Sequence, residues 1–210
     1  IDRWGDRIDK NINSVQSRLH WGADCVIDTI NRWKSDNFFI RWDPTEPHLP
    51  NYIPSDYVNK YPPELIDLWS SSAEDLNSRP YALNKYMSSW GIDELDDIKI
   101  KQMMSLYYAN IELLDLQIGR ILQAIKESGN ENNTMFIFTT DHGDTCGSHR
   151  LIDKHFNLFD DIVRVPLLLS WPDRLQKNIV REDFVSSSID LPCTILDAAG
   201  IEIPKIFKGK

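Results

Sequence analysis

Cysteine is scarce in this chain of 210 residues, and the three present, Cys25, Cys146 and Cys193, stand far apart. With no C-x-x-C pair, zinc ribbons and thioredoxin-type redox sites drop out. An odd count cannot pair off within one chain, so all three read as buried or incidental thiols. Long apolar runs are missing too: nothing approaches the roughly 18 residues that a membrane-spanning helix needs. Positive charge is in deficit. Lys and Arg number 23 against 32 acids, a net charge of −9, which argues against nucleic acid as a partner because phosphate backbones attract basic surfaces. An acidic total leaves room for an anionic small substrate, since a metal ion and a few local cations dominate a single pocket. Internal repeats, low-complexity tracts and a signal-peptide pattern are also absent. The chain opens on Ile1 rather than Met and stops at Lys210 without a closing element. Both ends read as cuts in a longer protein, and the compartment stays open.

What is present is an ordinary globular mixture, 41% apolar and 26% charged. Ala23, Val26, Ile27, Ile30 and Trp33 recur at helical spacing and predict an amphipathic helix over 22–33. Phe38-Phe39-Ile40 with Trp42 predicts a buried strand that runs into a polar loop carrying His48. Residues 50–92 are rich in Pro, Tyr, Ser and Asn and lack periodicity, with at most a short helix at the end. Such long excursions are commonly lids or binding loops. Their aromatics, Tyr52, Tyr57, Tyr61, Trp69, Tyr81, Tyr86 and Trp90, either line a sugar or aryl subsite or anchor the loop. The clearest helix covers 93–128, with apolar residues from Met103 to Ile125 at three-and-four spacing, an acidic start and Gly129 as its stop. A last helix is predicted over 191–199, with Asp190 as N-cap and Gly200 as stop.

The chain is organised around residues 134–172. Met135-Phe136-Ile137-Phe138 is an unbroken apolar run, which suits a strand buried on both faces in a parallel sheet. It changes abruptly into Thr140-Asp141-His142-Gly143-Asp144. In open parallel sheets, sites form where side chains leave the carboxyl ends of strands. A second apolar run, Val165 to Trp171, follows after a helix-length gap and predicts a strand–crossover–strand unit. The fold class expected is therefore α/β, a mostly parallel sheet sandwiched between helices.

Asp141 and His142 pair a hard carboxylate with a borderline imidazole, a combination that suits one divalent cation. The alternative is an acid capping the following turn and a histidine satisfied by backbone. Asp144 reads as a turn or cap residue. Lys154, taken alone, is a solvated surface charge. His48 lies between Pro47 and Pro50 in a stiffened loop that limits where its ring points; taken alone it is a loop histidine with a hydrogen-bond role. His149 reads as structural, and Arg150 as a substrate contact of second rank.

Several ordered motifs carry a resemblance that covers most of the chain. They are Glu46-Pro47-His48-Leu49-Pro50, then Tyr107-Tyr108-Ala109 with Leu114 to Arg120, then Thr140 to Asp144, Gly147 to Leu151, Lys154, and Arg164-Val165-Pro166 through Trp171-Pro172. Ser188 to Pro192 and Leu196 to Gly200 extend it. Together they resemble the sulfatase family of the alkaline phosphatase superfamily. The resemblance implies sulfate ester hydrolysis assisted by a divalent cation, calcium first, with manganese or magnesium as alternatives. It implies Asp141 and His142 as metal ligands and Lys154 on a substrate sulfate oxygen. His48 would stand at the leaving-group oxygen. The expected partner is a small-molecule or carbohydrate sulfate ester, with 50–92 near the substrate.

Two acid pairs mimic the family's paired metal aspartates but stand in the wrong places. Asp96-Asp97 opens a helix and Asp160-Asp161 lies in a connector, so both read as solvated or capping acids. Cys146-x-x-x-Arg150 departs from the family's nucleophile pattern Cys/Ser-x-Pro-x-Arg at Ser148, so Cys146 is rejected. The expectation is that the formylglycine nucleophile and the first aspartates lie upstream of Ile1, and that the 210-residue chain alone is inactive. Two other functions fit the residues: a phosphonate monoester or phosphodiester hydrolase of the same superfamily, and a non-catalytic binding module.

Overall fold

The computed structural model describes residues 7–73, 79–155, 157–182 and 185–209. Two helices form its centre. Helix α1 spans Arg18–Trp33, four residues longer at its start than periodicity predicts, because the Ser17 hydroxyl caps it by accepting from the His20 N–H. Helix α3 spans Asp97–Glu127. Its N-cap is Asp96, whose carboxylate accepts from the Lys99 N–H at 2.8 Å, so the first acid of the Asp96-Asp97 pair is a capping acid as read. The apolar stripes of the two helices meet: Ala23 and Ile30 of α1 pack with Ile121 and Ile125 of α3. Farther along, Leu19 packs with Leu106, Ala109 and Leu113.

Residues 38–42 do not form the predicted strand. Phe39 is 72% exposed, whereas Ile40 and Trp42 lie on the α1–α3 cluster as extended chain. A strand requires a hydrogen-bonded neighbour, and none flanks this segment among the described residues. The excursion at 50–92 is more regular than its composition suggests. It holds strand β2 (Tyr52–Pro54), which pairs in parallel with β1 (Arg7–Asp9), a 3-10 turn at Ser70–Ala73, and helix α2 (Tyr81–Trp90).

Strand β3 (Phe136–Thr139) follows α3, as the apolar run predicts. Its partner β4 (Leu167–Ser170) runs antiparallel, with Phe136 opposite Ser170 and Thr139 opposite Leu167. The expected parallel crossover is thereby corrected in this pair. A parallel return needs a run of chain back along the strand, usually a helix of a dozen residues. Among the described residues the only α-helix of this connector is the four-residue α4 (Asp160–Val163), and Gly143 N–H donates to the Ile162 carbonyl at 2.9 Å, closing the connector at the same strand end it left. Nor is β3 buried on both faces: it is half-buried throughout, and Leu168 of β4 is 57% exposed. Helix α5 (Ser187–Ala198) begins earlier than predicted, with Ser186 rather than Asp190 as N-cap. Asp190 acts from inside the first turn, its carboxylate accepting the Ser186 N–H at 2.7 Å.

Candidate active site

Three loops converge beyond β3. The first contributes His48, whose Nδ1–H donates to the Leu49 carbonyl at 2.5 Å. That leaves the Nε2 lone pair outward, where it accepts from the Lys154 ammonium. His48 and Lys154 are 106 residues apart in sequence and in direct contact in the fold. The His142 ring lies edge-on to His48, with centroids 6.4 Å apart. Asp141 completes the group as the neighbour of His142. Four of the five residues singled out from the sequence thus share one place.

Asp141 and His142 leave the end of β3 in complementary roles. His142 Nδ1 contacts the Gly143 carbonyl at 2.8 Å, so that nitrogen carries the proton and Nε2 is left as a donor atom for a metal. Nε2 lies 3.6 Å from Asp141 Oδ2, while Asp141 Oδ1 accepts the His142 N–H at 3.0 Å. Burial alone would raise the Asp141 carboxyl. Attraction to His142 when its imidazole is protonated, the backbone N–H groups of Asp141 and His142 and the Thr140 hydroxyl outweigh it and hold the group below the ordinary aspartate value. The pair therefore offers an anionic oxygen and a nitrogen side by side, with the Asp141 side chain 85% exposed. That donor set fits two ligands of a divalent cation. Among the described residues no third His, Cys, Asp or Glu joins them, and a calcium shell takes six to eight oxygens.

The loop from 144 to 154 positions Lys154. Asp144 is its staple: one carboxylate oxygen accepts from Cys146 N–H at 2.7 Å and Asp153 N–H at 3.1 Å, tying both ends of the loop together. Burial pushes the Asp144 carboxyl above its usual value, against the pull of those two N–H donors. Within the ring, Cys146, Gly147, His149, Arg150 and Asp153 all have positive φ, between 41° and 87°. Non-glycine residues in that region cost on the order of 1–3 kcal/mol each and persist only where surroundings hold them. What holds them is the 3-10 turn at Ser70–Ala73 and the residue before it. Trp69 Nε1–H donates to the Cys146 carbonyl at 3.0 Å and the Ser72 hydroxyl to the Gly147 carbonyl at 2.8 Å. The Ser71 oxygen accepts from His149 N–H at 3.3 Å and bonds the Ser148 hydroxyl at 2.8 Å. Ser148 in turn donates to Asp161 at 2.9 Å. Behind the loop, Leu151 and Ile152 are buried among Leu83, Tyr86, Met87, Ile92 and Met103.

Periodicity could not disclose this clamp, because its members share no spacing. A run of serines beside a tryptophan was the only trace. Also unflagged by the sequence is Asp153, whose carboxylate touches the Lys154 ammonium at 3.4 Å and His155 Nε2 at 3.0 Å. Arg150 lies apart from the cluster: its guanidinium donates to Asp97 and to the Leu95 carbonyl, both at 2.7 Å, bracing the loop against the start of α3. His149 stacks on Phe159 at 4.1 Å, a structural role as read. The second acid pair also serves the scaffold, Asp160 pairing Arg164 at 3.3 Å and Asp161 holding Ser148. Burial, and then the Asp144 charge, push the Cys146 thiol far above its ordinary value. A protonated thiol is a poor nucleophile, which agrees with its rejection.

The family profile described as Sulfatase matches residues 19–201. The chain is 33% identical over 165 residues to the uncharacterized sulfatase YidJ of Escherichia coli (strain K12), covering 79% of this chain and 32% of the relative. It is 32% identical over 205 residues to an arylsulfatase of Clostridium perfringens, covering 92% of this chain and 41% of the relative. The chain thus spans a third to two-fifths of the length of these curated relatives. Among solved structures, a phosphonate monoester hydrolase from Silicibacter pomeroyi superposes with a TM-score of 0.78 at 23% identity, over 94% of this chain and 41% of that one. At that identity the likeness speaks for the fold, an alkaline-phosphatase-like α/β domain present in part. A profile match over nearly the whole chain, on a fold that gathers His48, Asp141, His142 and Lys154, places this chain in the sulfatase family.

Proposed function

We propose that this chain supplies half of a sulfate ester hydrolase site, in which Lys154 and His48 act on the sulfate group and its leaving oxygen. The observation that carries the reading is the contact of Lys154 with His48 beside the Asp141–His142 pair. An ammonium fixed by Asp153 and the Asp144-stapled loop faces outward, where it offsets the negative charge of a sulfuryl group. When a sulfate oxygen takes the Lys154 ammonium, His48 Nε2 is released from it. In its protonated state that nitrogen gives its proton to the departing oxygen as the S–O bond breaks. A divalent cation held by Asp141 and His142 would polarise the ester oxygens. The approach of the attacking group is not assigned to any residue of this chain. Trp69 and Ser72 of the excursion at 50–92 support the Lys154 loop through the clamp.

The test is turnover by the product of the complete reading frame, with 4-nitrophenyl sulfate and a sulfate ester of a poorer leaving group. Lys154→Ala should lower kcat/KM by about a hundredfold or more on both, in line with loss of one preorganised charge stabiliser. His48→Ala should cost more on the poor leaving group than on 4-nitrophenolate, because only the former needs a proton at departure. Equal losses on both esters would remove His48 from the proton-transfer role. Activity untouched by Lys154→Ala would overturn the site. The Asp141–His142 pair also suits manganese, and the phosphonate or phosphodiester alternative is decided by the ratio of rates on paired sulfate and phosphate esters.

A further inference from the structure

The structure sorts the seven aromatic residues of 50–92 by what they touch. Tyr57 and Tyr86 are 7% and 4% exposed, and the Tyr86 hydroxyl donates to the Ile152 carbonyl at 2.6 Å. Tyr52 lies under the Arg18 guanidinium, Tyr61 sits edge-on to Tyr108, and Trp69 is spent on the Cys146 carbonyl. Tyr81 begins α2, about 14 Å along the helix axis from the residue that ends it. That residue is Trp90.

Trp90 stacks on His155, with centroids 5.6 Å apart and planes within 20°, and 42% of the residue is open to solvent. Neither ring floats. The buried Tyr86 ring supports both, at 6.2 Å from Trp90 and 5.7 Å from His155. His155 Nε2 is held by Asp153 Oδ2 at 3.0 Å. The other oxygen of the same carboxylate lies 3.4 Å from the Lys154 ammonium. One carboxylate therefore links the aromatic stack, through His155, to the ammonium of the preceding residue. Rigid, half-open aromatic surfaces of this kind contact flat faces, either an aryl ring or the C–H face of a pyranose.

We infer that Trp90, backed by His155, is a specificity-determining subsite for ring-bearing sulfate esters, preferring them to open-chain alkyl sulfates. This rests on the reading of Lys154 as the sulfate contact. The experiment measures kcat/KM of the complete protein, wild type, Trp90→Ala and Trp90→Phe, on an aryl sulfate, a pyranose sulfate and a short alkyl sulfate. The quantity read is the ratio of ring-bearing to alkyl ester, in which any loss of folded protein cancels. Trp90→Ala should lower that ratio about tenfold, and Trp90→Phe, which keeps a ring, should restore most of it. If the fall is confined to the aryl ester or to the pyranose ester, that arm names the ring the subsite takes. A ratio unchanged in Trp90→Ala overturns the inference and leaves the stack as packing. A wild-type protein that turns over none of the three esters overturns the reading of Lys154, and the inference with it. The two failures are distinguished by the wild-type rate alone.

Discussion

Arg150 illustrates how little a residue's type says about its task. A guanidinium four residues before Lys154 has the chemistry of an anion clamp, and the family resemblance invites that role. Its donors instead go to Asp97 and the Leu95 carbonyl, and its side chain is 23% exposed. A brace and a substrate contact predict different losses. Arg150→Ala should lower stability by about 1–3 kcal/mol, the range for a hydrogen-bonded charge removed from partly buried partners, and leave KM for sulfate esters within about twofold. Urea denaturation and initial-rate kinetics on the same preparations check this, and a large rise in KM without loss of stability would restore the substrate role. Gly143 makes the complementary point. A Cβ there would lie 1.8 Å from the Asp161 carbonyl oxygen, so the turn after His142 closes against α4 only because that residue has no side chain. The glycine is legible in the sequence; the carbonyl that requires it is not.

At the scale of elements, the loop from 144 to 154 depends on a segment some 75 residues away. Helices α1 and α3 rest on their own caps and stripes, which local sequence encodes. The left-handed loop has no such local support and relies on hydrogen bonds from Trp69, Ser71 and Ser72. Ser72 is buried, so removing its hydroxyl leaves the Gly147 carbonyl short of a partner that water cannot replace. Ser72→Ala should cost about 1 kcal/mol. It should also raise amide hydrogen exchange at Gly147, Leu151 and Arg150, whose N–H bonds lie within the ring. Exchange in α1 should not move. If exchange rose uniformly across the chain, the effect would be global and the clamp would have no special claim on the loop.

Across the described residues, burial is concentrated where α1 and α3 meet and is thin at the β3–β4 pair. Leu113 is 1% exposed inside the helical cluster, whereas Leu168 on β4 is 57% exposed. Leu113→Ala should cost about 2–5 kcal/mol, the range for emptying a packed leucine site, and Leu168→Ala under about 1 kcal/mol. Comparable costs in chemical denaturation would show that the β4 surface is covered in solution.

The sequence by itself determined the long helix, the apolar run of β3 and the α/β class, and it singled out the candidates His48, Asp141, His142 and Lys154 that the fold brings together. These follow from periodicity, from the abrupt change at Thr139–Thr140, and from ordered motifs whose chemistry is local to each residue. The tertiary structure decided that β4 returns antiparallel, because the connector closes through Gly143 and Ile162 instead of running back along the strand. It decided that, among the described residues, 38–42 is extended chain without a strand partner, that the Arg150 guanidinium bonds Asp97 and the Leu95 carbonyl, and that Trp90 stacks on His155. Each of these depends on which groups meet across tens of residues. Side-chain spacing along the chain carries no record of such meetings; only the packed α1–α3 core and the hydrogen bonds built on it select them.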